Sequence, residues 1–382
     1  MKRIAIFHPV DDRYGASKIL AYVLSFLSRE YKCDVYIPAL THEIELTLQE
    51  LVSHDVNVNF IEFPCAPLVH RKMYSLKGLY VWVWQNIRTL RFLMKLRKDY
   101  EIVYINTVAL FSISLICRML NVKNMVHCHE YLKGSLYGEV IRRIIRFGAD
   151  KIVCVSAKVA SYIGDNPKVV VIHNGIPDVT LRVTEGASST PDDMIHFAMV
   201  GRVMPEKGQW FLCEAVKNLP DYLKKKIKIH VYGDAPPTRS HLFKEFKSLI
   251  SDAQLDSVFV LHGFDPDASK KASLLDVWII PSIMVDPFPT TVIEGLRAGK
   301  VVLTTDNGGA SEIIKDGVNG FLIKHGDVQY FTNLLSSFLQ LSSEERKNIQ
   351  QQARMTYEQS YGIEKFQDRF EIFFNDVIKN KA

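Results

Sequence analysis

Short, almost wholly apolar runs alternate with longer stretches of helical period along most of this 382-residue chain, and that alternation leaves few folds open. In the first half the runs are Arg3–His8, Cys33–Pro38, Val56–Phe60, Glu101–Asn106, Asn124–His129, Lys151–Ser156 and Lys168–His173. Strands of this kind, joined by helices, form a parallel sheet covered on both faces, because each crossover helix has to lie over the sheet. The pattern resumes at Ile195–Val200, Lys228–Tyr232, Val258–Gly263, Val277–Pro281 and Val301–Thr305, and after Gly320-Phe321-Leu322-Ile323 helices run to the end. Between the two series lies Val183–Asp193, VTEGASSTPDD, the stretch richest in Ser, Thr, Gly and Pro, which reads as a linker. The length exceeds one typical core and suits two domains of roughly 150 to 200 residues. Two α/β domains are expected, residues 1–178 and 195–357, with 179–194 between them.

Composition narrows the function classes. The net charge is +5, and residues 1–178 hold the surplus, with 23 Lys and Arg against 16 Asp and Glu. Six cysteines, at 33, 65, 117, 128, 154 and 213, include no C-x-x-C pair, as expected of reduced thiols in a cytoplasmic protein. The N-terminus reads as a first strand rather than a signal peptide, and the apolar run Val108–Cys117 is too short to span a bilayer. No G-x-G-x-x-G follows any strand, which counts against a dehydrogenase.

Val277–Gly299, VWIIPSIMVDPFPTTVIEGLRAG, carries most of the chemistry. It reads as a strand, a loop broken by Pro287 and Pro289, and a helix start. Asp286 and Glu294 bracket the loop and can face one ligand. Unpaired amides at a helix start sit at its positive end, which suits the loop at Thr290 and Thr291 to a phosphate. Plain capping chemistry would look similar in isolation. A second glycine-rich turn follows at Asp306-Asn307-Gly308-Gly309. Upstream, Gly201-Arg202 closes one strand and Lys207-Gly208 opens the next helix; two such cations can clamp a diphosphate and stabilise charge growing on it.

The run PSIMVDPFPTTVIEGLRAGKVVLTTDNGGASEIIKDGVNGFLI, with G-R-x-x-x-x-K-G before it, resembles the signature of the large retaining glycosyltransferase family of GT-B fold, which includes phosphatidylinositol mannosyltransferases and many bacterial polysaccharide enzymes. The resemblance implies two Rossmann-like domains facing each other across a cleft, with the last helix, about 358–382, returning to the first. It implies metal-independent transfer of a sugar, with retained configuration, from a nucleotide-sugar donor to a glycan or lipid-linked glycan acceptor, with no cofactor. UDP is the first expectation for the donor and GDP the second. By the same match Asp286 holds the donor sugar, Glu294 the ribose, and Arg202, Lys207, Thr290 and Thr291 the diphosphate. Gly201, Gly233, Gly263, His262, Phe264 and Phe288 are further donor-side candidates. Asp286 stands where the family more often has Glu, and Pro289, which lacks an N–H, where Gly is frequent. A nucleotide-sugar epimerase and a non-catalytic binding protein of the same fold are the rival readings.

In the first half, Gly15 starts a helix where the family usually has two glycines near the donor phosphates; the second position is Ala16. His127-Cys128-His129-Glu130 invites a metal assignment, but two histidines do not make a closed site. The resemblance instead makes His129 a catalytic candidate beside the donor sugar. Residues 70–98 carry Arg71, Lys72, Lys77, Arg88, Arg91, Lys95, Arg97 and Lys98 without an acid, among Tyr74, Tyr80, Trp82, Trp84 and Phe92. On a helix, Leu76, Tyr80, Val83, Ile87, Leu90 and Met94 form one stripe beside a basic one. Such a helix either packs that stripe into the core or lays it on an anionic membrane surface, giving peripheral attachment. No recognised nucleic-acid module accompanies it.

Overall fold

A computed structural model describes residues 1–12, 15–40, 47–52, 57–69, 75–132, 134, 136–178 and 194–379. The linker stretch Val183–Asp193 and the residues His70, Arg71, Lys72 and Tyr74 lie outside the described residues. The chain divides into two compact units, Met1–Ile176 with Ile363–Ala382, and Pro177–Gly362.

The first unit is built on seven parallel strands: β1 (Lys2–Phe7), β2 (Tyr31–Ile37), β3 (Val58–Glu62), β4 (Ile102–Ile105), β5 (Asn124–Cys128), β6 (Lys151–Cys154) and β7 (Val169–Val171). Their order is β3-β2-β1-β4-β5-β6-β7. Ile4 lies opposite Cys33 on one side and Ile102 on the other. Ile4 to Phe7 are wholly buried, which is why β1 reads as an unbroken apolar run while the edge strand β3 stays half-exposed.

The strand order reverses beside β1. Right-handed crossovers therefore put the helix Gly15–Leu27 on one face and the helices Leu76–Leu96, Ser112–Met119 and Leu136–Gly148 side by side on the other. The first face also receives Ile363–Lys379, whose Phe366 and Phe370 rings lie 6.2 and 5.7 Å from Phe26 while Phe374 meets Tyr31 at 5.6 Å. Each such buried side chain contributes about 2 kcal/mol.

The helix Leu76–Leu96 contradicts the core-facing reading of its apolar stripe. Leu76, Tyr80, Val83, Ile87 and Met94 point to solvent, and the sheet side is held instead by Trp82, Thr89, Phe92 and Leu93. Trp82 donates to the Pro67 carbonyl (3.1 Å) and Thr89 to that of Cys65 (3.0 Å).

The second unit repeats the plan with six parallel strands: β8 (Ile195–Val200), β9 (Ile227–Tyr232), β10 (Phe259–Gly263), β11 (Val277–Ile280), β12 (Val301–Thr305) and β13 (Phe321–Ile323). The order β10-β9-β8-β11-β12-β13 reverses at β8, so the loops leaving the strand ends there open a crevice, the usual ligand position of such sheets. Phe197, Ile229, Ile279 and Leu303 from its central strands share one core with Phe331 and Phe338.

Candidate functional site

In the second unit, backbone bonds tie together the strand ends that carry the candidate cations. Gly201 N–H donates to the Tyr232 carbonyl (2.9 Å), Val203 N–H to that of Asp234 (3.0 Å) and Gly233 N–H to that of Gly263 (2.7 Å). Beneath this turn Gln209, wholly buried, donates to the Arg202 carbonyl (2.9 Å) and accepts the Met204 N–H (3.4 Å). Arg202 is thus held by its backbone while its side chain stays exposed.

Next comes the short turn Pro205–Lys207, where the Glu206 carbonyl accepts the N–H groups of Ile283 (3.0 Å) and Met284 (3.1 Å) from the loop after β11. Gly208 makes that approach feasible: its φ is +89°, and a Cβ there would lie 1.8 Å from the Pro281 carbonyl oxygen. As a result Lys207 Nζ donates to Asp286 Oδ2 at 2.9 Å, with both side chains partly open to solvent.

Asp286 is fixed from the other side by the second glycine-rich turn. Gly309 N–H donates to the Asp286 carbonyl (2.9 Å), and a Cβ on Gly308 would come within 2.2 Å of that oxygen. Those glycines clamp main chain to main chain. After Pro289 the helix Thr290–Arg297 begins with no side-chain cap, and its first-turn amides, at Thr290 and Thr291, lie at the positive end. Glu294 lies buried in its second turn. The structure thus brings Lys207 and Asp286 into contact, with Arg202 on the turn before Lys207 and the uncapped start of the helix Thr290–Arg297 four residues after Asp286; a cation pair and free amides are groups able to hold a diphosphate.

In the first unit a hydrogen-bonded chain crosses the ends of β1, β4 and β5. Asn106 Nδ2 faces both His8 Nδ1 (3.0 Å) and the Ala16 carbonyl (3.5 Å); a carbonyl only accepts, so the amide nitrogen belongs on that side. His8 Nε2–H then donates to Ser17 Oγ (2.9 Å), and Ser17 to Asp12 Oδ1 (2.5 Å). On the other side Asn106 Oδ1 accepts from Tyr104 O–H (2.8 Å) and His129 Nε2–H (3.0 Å), while the Tyr104 oxygen accepts from His127 Nδ1–H (2.7 Å).

His129 is left with Nδ1 unprotonated, as an acceptor. All three imidazoles are neutral: burial, and then the other imidazole at position 129, pushes His8 down to about 3 and His127 well below its usual value, and burial alone takes His129 down to about 3. Glu130 accepts the N–H groups of Val108 and His129 (both 3.1 Å) and the Thr107 hydroxyl, so it braces the turn.

Other candidates fall elsewhere. Phe288 is 5% exposed and packs its ring 6.0 Å from Tyr361, so any ligand contact from it is confined to the main chain. Gly15 is exposed at its helix start, and a Cβ there would meet nothing within 4 Å, so space alone does not require glycine. Phe264 is exposed. His262 stacks on Tyr232 (4.2 Å) at the end of a ladder, His196, His230 and His262, linked by contacts of 2.9 and 3.0 Å. Gln209, Asn106 and His8 went unread in the sequence, where no motif marks them. Among the described residues no group of three or more His, Cys, Asp or Glu side chains could hold a metal ion.

Two family profiles divide the chain, Glycosyltransferase Family 4 over residues 15–179 and Glycosyl transferases group 1 over residues 185–356. The chain belongs to the group 1 glycosyl transferases. Within that family it is 28% identical over 185 residues to a lipopolysaccharide 1,2-N-acetylglucosaminetransferase of Salmonella typhimurium, covering 47% of this chain and 48% of that one. It is 25% identical over 201 residues to a putative colanic acid biosynthesis glycosyltransferase of Escherichia coli, covering 51% and 48%. The chain therefore spans about half the length of these curated relatives. A UDP-Gal:alpha-D-GlcNAc-diphosphoundecaprenol alpha-1,3-galactosyltransferase of Escherichia coli is 24% identical over 250 residues, 63% of this chain and 61% of that one. Among solved structures, Anabaena Alr3699/HepE in complex with UDP and glucose has a TM-score of 0.78 at 18% identity, covering 98% of this chain and 100% of that one. Sucrose-phosphate synthase from Thermosynechococcus elongatus has 0.78 at 16% over 99% of each. These likenesses show the GT-B fold of this group 1 glycosyl transferase, with its two parallel-sheet units.

Proposed function

We propose that the chain transfers a sugar from a nucleotide-sugar donor to a hydroxyl of a glycan or lipid-linked glycan in surface polysaccharide synthesis, with retained configuration and without a metal. The observation that carries this reading is the contact of Lys207 with Asp286 at 2.9 Å, beside the backbone-held turn of Arg202. A UDP-sugar is the first donor expected and a GDP-sugar the second; two of the similar proteins, one solved as a complex with UDP and one a UDP-Gal transferase acting on a lipid diphosphate, favour this order. The six cysteines, all free, suit a reducing cytoplasm.

As the bond from sugar to diphosphate breaks, negative charge grows on the leaving phosphate oxygens. Arg202, Lys207 and the amides of Thr290 and Thr291 stabilise that charge in place, without reorganising as it forms. Asp286 accepts hydrogen bonds from sugar hydroxyls, and its ion pair aims it at the same ligand as Lys207. Glu294 takes the ribose. His129 offers Nδ1 as an acceptor to a donor-sugar hydroxyl.

The test is to incubate the protein with a panel of nucleotide sugars, with and without a lipid-linked acceptor, and follow nucleoside diphosphate release and the anomeric configuration of the product. Acceptor-dependent release with a retained anomer is expected. Isomerisation of the donor without any acceptor would replace the transferase by an epimerase, and failure to bind any nucleotide sugar would leave only a binding protein of this fold.

A further inference from the structure

Large apolar side chains normally leave water when a chain folds, so a row of them standing outward on an ordered helix needs a partner. The helix Leu76–Leu96 carries such a row in Leu76 (89% exposed), Tyr80, Val83 and Ile87, flanked by exposed Lys77, Arg88, Arg91 and Lys95. Its acidic complement is nil. Beside it the helix Ser112–Met119 ends in exposed Arg118 and Met119, and beside that the helix Leu136–Gly148 turns out Leu136 (92% exposed), Val140, Arg143 and Phe147 at spacings of four, three and four. The rows therefore do not belong to one helix. They continue across three neighbours on the same sheet face.

Cations and rings alternate in the manner of side chains that lie at a polar boundary. Arg88 covers the Trp84 ring at 3.7 Å, and Arg118 approaches the Phe147 ring at 5.8 Å. The one acid on the third helix, Glu139, is already paired with Arg142 (2.5 Å) and Arg143 (2.9 Å). No helix among the described residues is long and apolar enough to cross a membrane.

We propose that the outward face shared by these three helices is a docking surface for an anionic lipid bilayer. A second copy of the chain would press the same cations against one another. A nucleic acid would use the cations and leave the apolar rows in water. An anionic bilayer takes both, the side chains entering among the acyl chains and the Lys and Arg heads staying with the phosphates. This surface does not depend on the donor chemistry proposed above.

The experiment is flotation of the full-length protein with vesicles of phosphatidylcholine alone and of phosphatidylcholine with phosphatidylglycerol. Binding is expected to the anionic vesicles and to weaken with salt. Changing Lys77, Arg88, Arg91 and Lys95 together to Gln should reduce partitioning at least about a hundredfold, from about 1 kcal/mol for each cation. Ile87→Ser with Phe147→Ser, on different helices, should remove the part that survives high salt. Both variants change exposed side chains, and an unaltered far-ultraviolet spectrum with unaltered UDP binding keeps fold and donor site out of the reading. Hydrogen exchange on anionic vesicles should slow in all three helices. Absence of vesicle binding, binding that both variants keep, or a concentration-dependent dimer abolished by Ile87→Ser would each overturn the proposal.

Discussion

Both units gather polar side chains at the ends of their central parallel strands, and they use them in opposite ways. In the first unit His8, Asn106, Tyr104 and His129 satisfy one another, every proton in the chain has a place, and the imidazoles are neutral. In the second unit the side chains are ionic and partly open to solvent, and the rigidity comes from beneath, from Gln209, the Glu206 carbonyl and glycines that let main chain touch main chain. A charge meant for a ligand has to stay reachable by water, so its position is set by backbone. A neutral group meant to present one lone pair can be buried, and is then set by its hydrogen bonds.

The largest test of that contrast is to remove a cation. Lys207→Ala or Arg202→Ala should lower kcat at saturating donor by about a hundredfold to a thousandfold, the scale of losing one stabiliser of developing charge. Circular dichroism should show the fold intact, since both side chains are partly or fully exposed. Near-native turnover in either variant would end the diphosphate assignment. The opposite pattern is expected in the first unit. Asn106→Leu strands buried partners on His8, Tyr104 and His129, so stability should drop by about 2 to 4 kcal/mol by denaturant titration, with activity falling alongside. A loss of activity with no loss of stability would show Asn106 touching the ligand directly.

Acid sharpens the contrast further. A free imidazole titrates near 6.5, whereas His8 and His129 are held down to about 3. Between those values the unfolded chain binds protons that the folded chain does not, so stability is complete above about 6.5 and falls as the pH drops below it. Each group adds up to about 1.4 kcal/mol per pH unit. His230 in the second unit, pushed down to about 4 by burial and by His196 and His262, adds to the same trend. The comparison of wild type with His8→Gln therefore isolates the first unit, and the variant should lose stability less steeply between pH 7 and pH 5. Parallel curves would mean that His8 is not held neutral.

What the sequence disclosed followed from periodicity. All twelve expected strands form, several of them ending a residue or two early, because runs such as Ile4–Phe7 and Val277–Ile280 are buried on both faces and tolerate no polar interruption; the short edge strand Phe321–Ile323 was not read as one. Lys207 and Asp286 were also readable, each from a local motif, although 79 positions separate them. The stripe on Leu76–Leu96 was legible while its direction was not, since a helical period gives a face and says nothing of what covers it. Asn106 was invisible for a related reason: its partner His8 lies 98 positions away, and a buried polar residue makes sense only when both are in place. The burial of the Phe288 ring was not legible either, because a ring that faces a ligand and a ring wedged under a loop share the same neighbours in sequence.

The smallest expected effect belongs to Asp286→Glu. Gly308 and Gly309 clamp the main chain at 286, so the added methylene cannot be absorbed by the backbone and has to carry the carboxylate further out. Lys207, flexible and partly exposed, can follow it, and the ion pair should survive. Overall transfer should then change by about tenfold at most, which is about 1.4 kcal/mol. The ratio of kcat/KM for two UDP-sugars that differ only in the configuration of one hydroxyl should shift by more than either rate alone, because a hydrogen bond to that hydroxyl depends on the reach of the acid. If the ratio stays constant while both rates fall together, Asp286 serves only to hold Lys207, and the second unit's carboxylate would be a structural partner like those of the first.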